Sequence, residues 1–349
     1  MSPTRAVLCG YYGMGNAGDE ALLMSLLQML PKSVEPIVLS GNPQATKKSY
    51  DVYSCDRKST FTLLKVLQQS DIFIWGGGSL MQDATSMASP IYYAGLMALA
   101  QQRRLKTIAW AQGIGPLNKS FTRWLTQQVL YGCDGISVRD SASAQLLADW
   151  QIEPILAPDP VWALASEAPA SLPETDKEIV AVVLRSHSLL TRSRLQTLIQ
   201  ALQDFQAQSN SHILLIPFQP AKDMAIAEQI FAKLDGEQSI STITNPKQLK
   251  GLFKEVKMTI GMRLHSLIMA AGSGCNCFAL SYDPKVTQLM SELDLPGYEL
   301  SALPDSPETI TDAWLEHFNK PAIDPTRISS LVDRALIHQE LLQSVIIGD

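Results

Sequence analysis

The stretch Gly261-Met262-Arg263-Leu264-His265-Ser266 sets a permanent cation and a titratable imidazole at the mouth of an otherwise apolar segment. A charged arginine and a histidine in such surroundings need a ligand or a buried partner, because an unpaired charge is costly away from water. Arginine suits a carboxylate or a phosphate, and histidine is the side chain best suited to carry a proton near neutral pH. The chemistry this pair points to is anion binding coupled to proton transfer. A histidine that merely caps a helix is the competing reading of His265. Of the other histidines, His317 and His338 fall in polar helical patterns and are expected on solvated faces, His212 opens a strand, and His187 sits in a loop after Arg185.

Similar groups end other apolar runs. Val138-Arg139-Asp140 closes one, and Arg139 there is either an anion ligand or the surface partner of Asp140. Ser281-Tyr282-Asp283-Pro284-Lys285 closes another and offers Lys285 as a further cation. Three glycine turns complete the set. In Trp75-Gly76-Gly77-Gly78-Ser79, with Asp83 close behind, consecutive glycines imply that something approaches the backbone closely, either a ligand or a packed side chain. Gln112-Gly113-Ile114-Gly115-Pro116 is expected on the same rim. The first turn, Gly13-Met14-Gly15-Asn16-Ala17-Gly18-Asp19-Glu20, satisfies the dinucleotide pattern G-x-G-x-x-G. Against a dinucleotide, the second strand ends Val38-Leu39-Ser40-Gly41-Asn42 without the ribose-binding acid, and Asp19 and Glu20 would repel a pyrophosphate. An acid-capped tight turn remains open; the preferred reading is a ligand-facing loop whose carboxylate contacts a sugar hydroxyl. Cys275-Asn276-Cys277 has no matching second pair, so no metal site is expected, and neither G-x-S-x-G nor GK[ST] occurs.

The elements that must hold these groups alternate. Short apolar runs at 6–9, 36–39, 71–75, 107–111, 135–138 and 154–156 predict strands, separated by helical patterns at 19–30, 60–69, 91–102, 121–131 and 141–150. The rhythm repeats with strands at 179–184, 212–217, 256–260 and 276–280 and helices at 191–208, 222–234, 246–253, 263–273, 285–293 and 308–318. Near-continuous apolar strands between helices indicate parallel sheets covered on both faces. The polar, two-proline stretch 166–177 reads as a linker. The expected organisation is an α/β protein with two Rossmann-like, doubly wound domains, 1–165 and 178–320, facing across a cleft. A single terminal amphipathic helix within 321–349 is expected to pack back on the first domain.

Composition bounds the function. With 46% hydrophobic and 18% charged residues in 349, the chain is globular and long enough for two cores. Its net charge of −6, without a basic cluster, argues against a nucleic-acid partner. No apolar run is long enough to span a membrane, the opening Met1-Ser2-Pro3-Thr4-Arg5 has no signal-peptide pattern, and five cysteines do not suggest a disulfide framework. A cytoplasmic protein is expected, with peripheral contact at the inner membrane face compatible with these features.

Taken together, the motifs G-x-G-N-x-G-D-E, W-G-G-G-S-L-x-Q-D, A-Q-G-I-G-P, S-V-R-D, G-M-R-L-H-S and L-S-Y-D-P-K-V resemble those of the polysaccharide pyruvyl transferase family, of the CsaB type. The resemblance runs in the family's order from about Arg5 to Pro296. It implies a glycosyltransferase-B-like fold, phosphoenolpyruvate as co-substrate with no other cofactor, and a sugar of a cell-surface polysaccharide, or of its lipid-linked precursor, as acceptor. N-acetylmannosamine is the acceptor sugar associated with the type. The donor-binding set it implies is Arg139, Arg263, Leu264, His265 and Lys285, with His265, Asp19 and Arg263 catalytic. Asn16, Gly18, Asp19, Glu20, Gly77, Gly78, Asp83 and Gln112 form the expected acceptor rim. A nucleotide-sugar-dependent glycosyltransferase shares the architecture and is the alternative.

Overall fold

A computed structural model describes residues 3–84, 86–321 and 323–348; Met1 and Ser2, and with them the outer bounds of the expected domains at 1 and 349, lie outside the described residues. The chain divides into two units. The first comprises residues up to Met14, Asp19–Leu164 and the tail from Ser330; the second comprises Gly15–Gly18 and Ala165–Ser329.

The first unit is built on a seven-stranded parallel sheet. Its strands are β1 (Thr4–Cys9), β2 (Val34–Ser40), β3 (Tyr53–Asp56), β4 (Ile72–Gly78), β5 (Lys106–Gln112), β6 (Gly135–Val138) and β7 (Ile155–Leu156), in the order β3-β2-β1-β4-β5-β6-β7. Every residue of β4, IFIWGGG, is buried, as a central parallel strand covered on both faces requires. The second unit has β8 (Ile179–Val183), β9 (His212–Leu215), β10 (Gln238–Ile240), β11 (Met258–Gly261), β12 (Asn276–Ser281) and β13 (Gly297–Glu299), in the order β10-β9-β8-β11-β12-β13. Strand order reverses between β1 and β4 and again between β8 and β11. At such reversals the loops leaving the carboxyl ends diverge and open a crevice.

The predicted strands are all present, within a few residues of their expected limits. The strands that sequence analysis missed, β3, β10 and β13, are sheet edges with little of their length fully buried, so their sequences YSCD, QSI and GYE carry no strong apolar run. The helix Pro43–Tyr50 was missed as well, because PQATKKSY is polar; Asn42 caps it by accepting from Ala45 N.

Three expectations need correction towards the C-terminal end. In place of one helix there are two, Pro325–Ala335 and Ile337–Ile347. The second buries Leu341 and Leu342 in the first unit, and Lys106 Nζ donates to the Val345 carbonyl at 2.8 Å. His338 is not solvated. It is fully buried beneath Trp110, whose Nε1 donates to the His338 carbonyl, and its ring bonds Ser137 Oγ at 2.9 Å and the Pro158 carbonyl at 3.0 Å. Burial drives its pKa down to about 4. His317 is half-buried, with Nε2 enclosed and lacking a hydrogen-bond partner. Among the described residues no helix is long and apolar enough to cross a membrane.

Candidate active site

In the second unit the chemistry gathers at the carboxyl edge of the sheet. Arg263 ends the turn after β11 and is the N-cap residue of helix Leu264–Ala271. Its Nη2 donates to both carboxylate oxygens of Asp223, at 2.6 and 2.7 Å. The pair is buried: the Arg263 side chain is 8% exposed and that of Asp223 0%. Asp223 also accepts from Gln219 N, so the carboxylate is fixed from its own helix, Pro220–Phe231, before it meets the arginine. The ion pair gives Arg263 a defined orientation and supplies the buried partner that its surroundings demanded. Sequence analysis did not single out Asp223; its place in the first helical turn after Pro220 resembles routine capping.

Leu264 and His265 are half-buried on the first turn of that helix. His265 stands against the N-terminal glycine loop. A Cβ placed on Gly18 would lie 2.4 Å from His265 Nδ1. That loop is held by Ala17 N donating to the Phe218 carbonyl at 2.9 Å and by Gly18 N donating to Asn16 Oδ1 at 3.3 Å. Two motifs from opposite ends of the sequence therefore meet, and Gly18 lacks a side chain because the imidazole takes its place. Lys285 opens the helix after β12, with its backbone N bonded to the capping Asp283.

The first unit arranges its groups separately. Asp19 Oδ1 would lie 3.7 Å from a Cβ on Gly78, a residue whose φ of 96° favours glycine. Glu20 turns inward: it accepts from Gly13 N at 2.8 Å and from the Tyr50 hydroxyl at 2.7 Å, bracing the loop. Burial raises its pKa against the lowering effect of those bonds. The space beside Gly76 and Gly77 is taken by Tyr12 and Leu22, and the Tyr12 hydroxyl donates to the Gly76 carbonyl. The close approach implied by these two glycines is thus met by packed side chains.

Asp83 is occupied as well, accepting from Asn118 N, Lys119 N and Thr122 Oγ1. Burial would raise its pKa, but these bonds outweigh burial and lower it. Gln112 is buried and its Nε2 donates to the Trp110 carbonyl, while its Oε1 has no partner. Arg139 pairs with Asp159, a partner the surface reading did not name. Its Nη1 lies 2.5 Å from Asp159 Oδ2, and its Nη2 donates to Ser79 Oγ. Asp140 caps helix Ser141–Ala148. The Asp159-Pro160 step was the available signal, since an aspartate before proline often begins a turn.

The comparisons with known proteins bear on this edge chemistry. The family model described as Polysaccharide pyruvyl transferase matches residues 16–284, most of the chain. The chain belongs to the polysaccharide pyruvyl transferase family. Within it, the matched span holds both the Gly18 loop and the Arg263–His265 turn. No curated protein matches the sequence. Solved structures match the fold at low identity. A protein assigned as a UDP-N-acetylglucosamine 2-epimerase of Listeria monocytogenes has a TM-score of 0.65 at 11% identity, covering 100% of this chain and 98% of that one. The UDP-GlcNAc 2-epimerase of Neisseria meningitidis bound to UDP-GlcNAc gives 0.63 at 10%, covering 98% and 100%. MurG of Acinetobacter baumannii gives 0.51 at 12%, covering 99% and 98%. These likenesses establish the fold, two Rossmann-like units of glycosyltransferase-B type.

Proposed function

We propose that this pyruvyl transferase family member moves the enolpyruvyl group of phosphoenolpyruvate onto two hydroxyls of one sugar, forming a pyruvate ketal and releasing phosphate. The observation that carries the reading is the seating of His265 against Gly18, two residues after the ion-paired Arg263. It brings a proton carrier and a cation together on one unit, at a carboxyl sheet edge.

The chemistry needs both. Protonation of the donor's methylene carbon makes the adjacent carbon electrophilic; one sugar hydroxyl adds there, phosphate leaves with the C–O bond electrons, and the second hydroxyl adds. One hydroxyl proton replaces the proton spent on the new methyl group, and the other leaves with phosphate. In this reading His265 delivers and recovers protons, while Arg263, Leu264 and Lys285 hold the donor. Asn16 and Gly18 shape the space beside the imidazole, and in the first unit Asp19 is the carboxylate suited to a sugar hydroxyl. The reaction so written calls for no metal or nucleotide. A saccharide of a cell-surface polymer, or its lipid-linked precursor, is the acceptor class, N-acetylmannosamine being the sugar associated with the CsaB type. A cytoplasmic site of action at the inner membrane face follows from that acceptor.

The test is incubation with phosphoenolpyruvate and a panel of sugar acceptors, reading phosphate release and a product heavier by pyruvate less one water. Phosphate release without a ketal, or no reaction with any acceptor, counts against the proposal. The alternative, a nucleotide-sugar-dependent glycosyltransferase, is favoured only by the shared fold. It requires a thermal shift with UDP-GlcNAc and none with phosphoenolpyruvate.

A further inference from the structure

Arg263 and Arg139 have buried carboxylate partners. Arg185 has none. It follows β8 at the point where strand order reverses, and no carboxylate among the described residues lies within ion-pair distance of it. Its Nη1 donates to the Tyr282 hydroxyl at 2.9 Å, its guanidinium carbon lies 5.1 Å from the centre of that ring, and its Nε is enclosed without a hydrogen-bond partner. His187, two residues on, packs its ring 4.7 Å from the Tyr282 ring. His187 Nδ1 accepts from Leu189 N at 3.2 Å, which in the neutral ring leaves the proton on Nε2.

The cluster is therefore composed of donors. Arg185 brings a charge with no counter-ion, Tyr282 spends its lone pair on Arg185 and keeps its own proton for another acceptor, and His187 offers Nε2–H. Nε is closed off by protein, so the guanidinium donor left to meet an added acceptor is Nη2, which, on a half-buried side chain, carries no hydrogen bond to any described residue. We propose that Arg185, Tyr282 and His187 form an oxyanion site on the second unit, and that the group it takes is a phosphate dianion. Three donors of different geometry suit the three terminal oxygens of a tetrahedral phosphate better than a planar carboxylate, which a single arginine fork satisfies. The identity of the natural ligand, the phosphate of the donor before transfer and free phosphate after it, rests on the pyruvyl-transfer reading; the site itself does not.

The experiment is calorimetric titration of the full-length protein with inorganic phosphate and, separately, with pyruvate as a carboxylate probe. Phosphate should bind the parent, and Arg185→Gln should weaken it by about 10- to 100-fold, the loss of one charge-assisted contact. Arg185→Lys should restore part of the affinity, Tyr282→Phe should weaken it by a smaller factor, and pyruvate binding should not depend on Arg185. In turnover assays Arg185→Gln should raise KM for phosphoenolpyruvate and the inhibition constant of phosphate more than it lowers kcat. A folded Arg185→Gln protein that binds phosphate within about threefold of the parent overturns the site. Absence of phosphate binding to the parent also overturns it, and equal loss of pyruvate binding overturns the phosphate assignment. If Arg185→Gln does not fold, Tyr282→Phe is judged by the same criterion. Should the parent fail to turn over phosphoenolpyruvate while phosphate binding still depends on Arg185, the cluster stands and the transfer reading falls. Ketal formation whose kinetics are indifferent to Arg185 leaves the transfer reading standing and overturns the cluster as the donor's phosphate site.

Discussion

Replacing Gly18 by alanine separates positioning from stability. Gly18 lies in helix Ala17–Met29, and its φ is not positive, so an L side chain suits its backbone. On propensity alone the change should stabilise the helix by up to about 1 kcal/mol. The new methyl would sit 2.4 Å from His265 Nδ1 and 3.0 Å from Cγ. That is roughly 1 Å short of ordinary contact between heavy atoms, so the ring must move by about that much or the helix must shift. A half-buried ring on the first turn of its helix must turn aside to admit the methyl, at the cost of its alignment with a donor held nearby. Misplacement of a catalytic group by about 1 Å typically costs on the order of 100-fold. Gly18→Ala should therefore lose about 100-fold in kcat with phosphoenolpyruvate and the best acceptor, while its melting temperature stays within about 3 °C of the parent. The measurement is steady-state kinetics paired with thermal denaturation. A variant with kcat within about threefold of the parent would refute the reasoning, because a displaced proton carrier cannot retain that rate.

Three further outcomes are expected. His265→Gln should lose at least about 100-fold in kcat yet still bind donor by calorimetry; retention of more than about a tenth of the rate would return His265 to a capping role. Asp223→Ala should destabilise the protein by about 3–5 kcal/mol in denaturant titrations, because it strands Arg263 as a buried charge, and a loss below about 1 kcal/mol would contradict the burial of the pair. His338, at about pKa 4 in the fold against about 6.5 when unfolded, is held neutral, so its contribution is complete above pH 6.5. As pH falls from 6.5 towards 4 the unfolded state binds the proton first, and on the order of 3 kcal/mol is lost progressively. His338→Phe should flatten that part of the stability–pH profile, and an unchanged slope would show that another group sets it.

Some of this protein was fixed by local pattern. Buried parallel strands announce themselves as apolar runs, so β1, β4, β5, β6, β8, β11 and β12 could be read directly, and with them the turns that carry Asp19, Gly78, Arg139, Arg263 and His265. The alternation of strand and helix then dictated parallel sheets, because each crossover helix must cover a face. Edge strands and polar helices escaped, since they bury too little to impose a period. Partners escaped for a different reason. Which carboxylate neutralises an arginine depends on where two distant segments are brought together, and residue type alone could not tell Asp159 from Asp140 for Arg139, or name Asp223 for Arg263. The polar surroundings of His338 suggested solvent, yet its helix is buried against the first unit and the ring became a neutral core donor. The sequence determined which groups can do chemistry and at which strand ends they stand. Tertiary structure decided which of them are already neutralised and which keep an open donor, because burial and pairing are properties of segments in contact and not of the segments themselves.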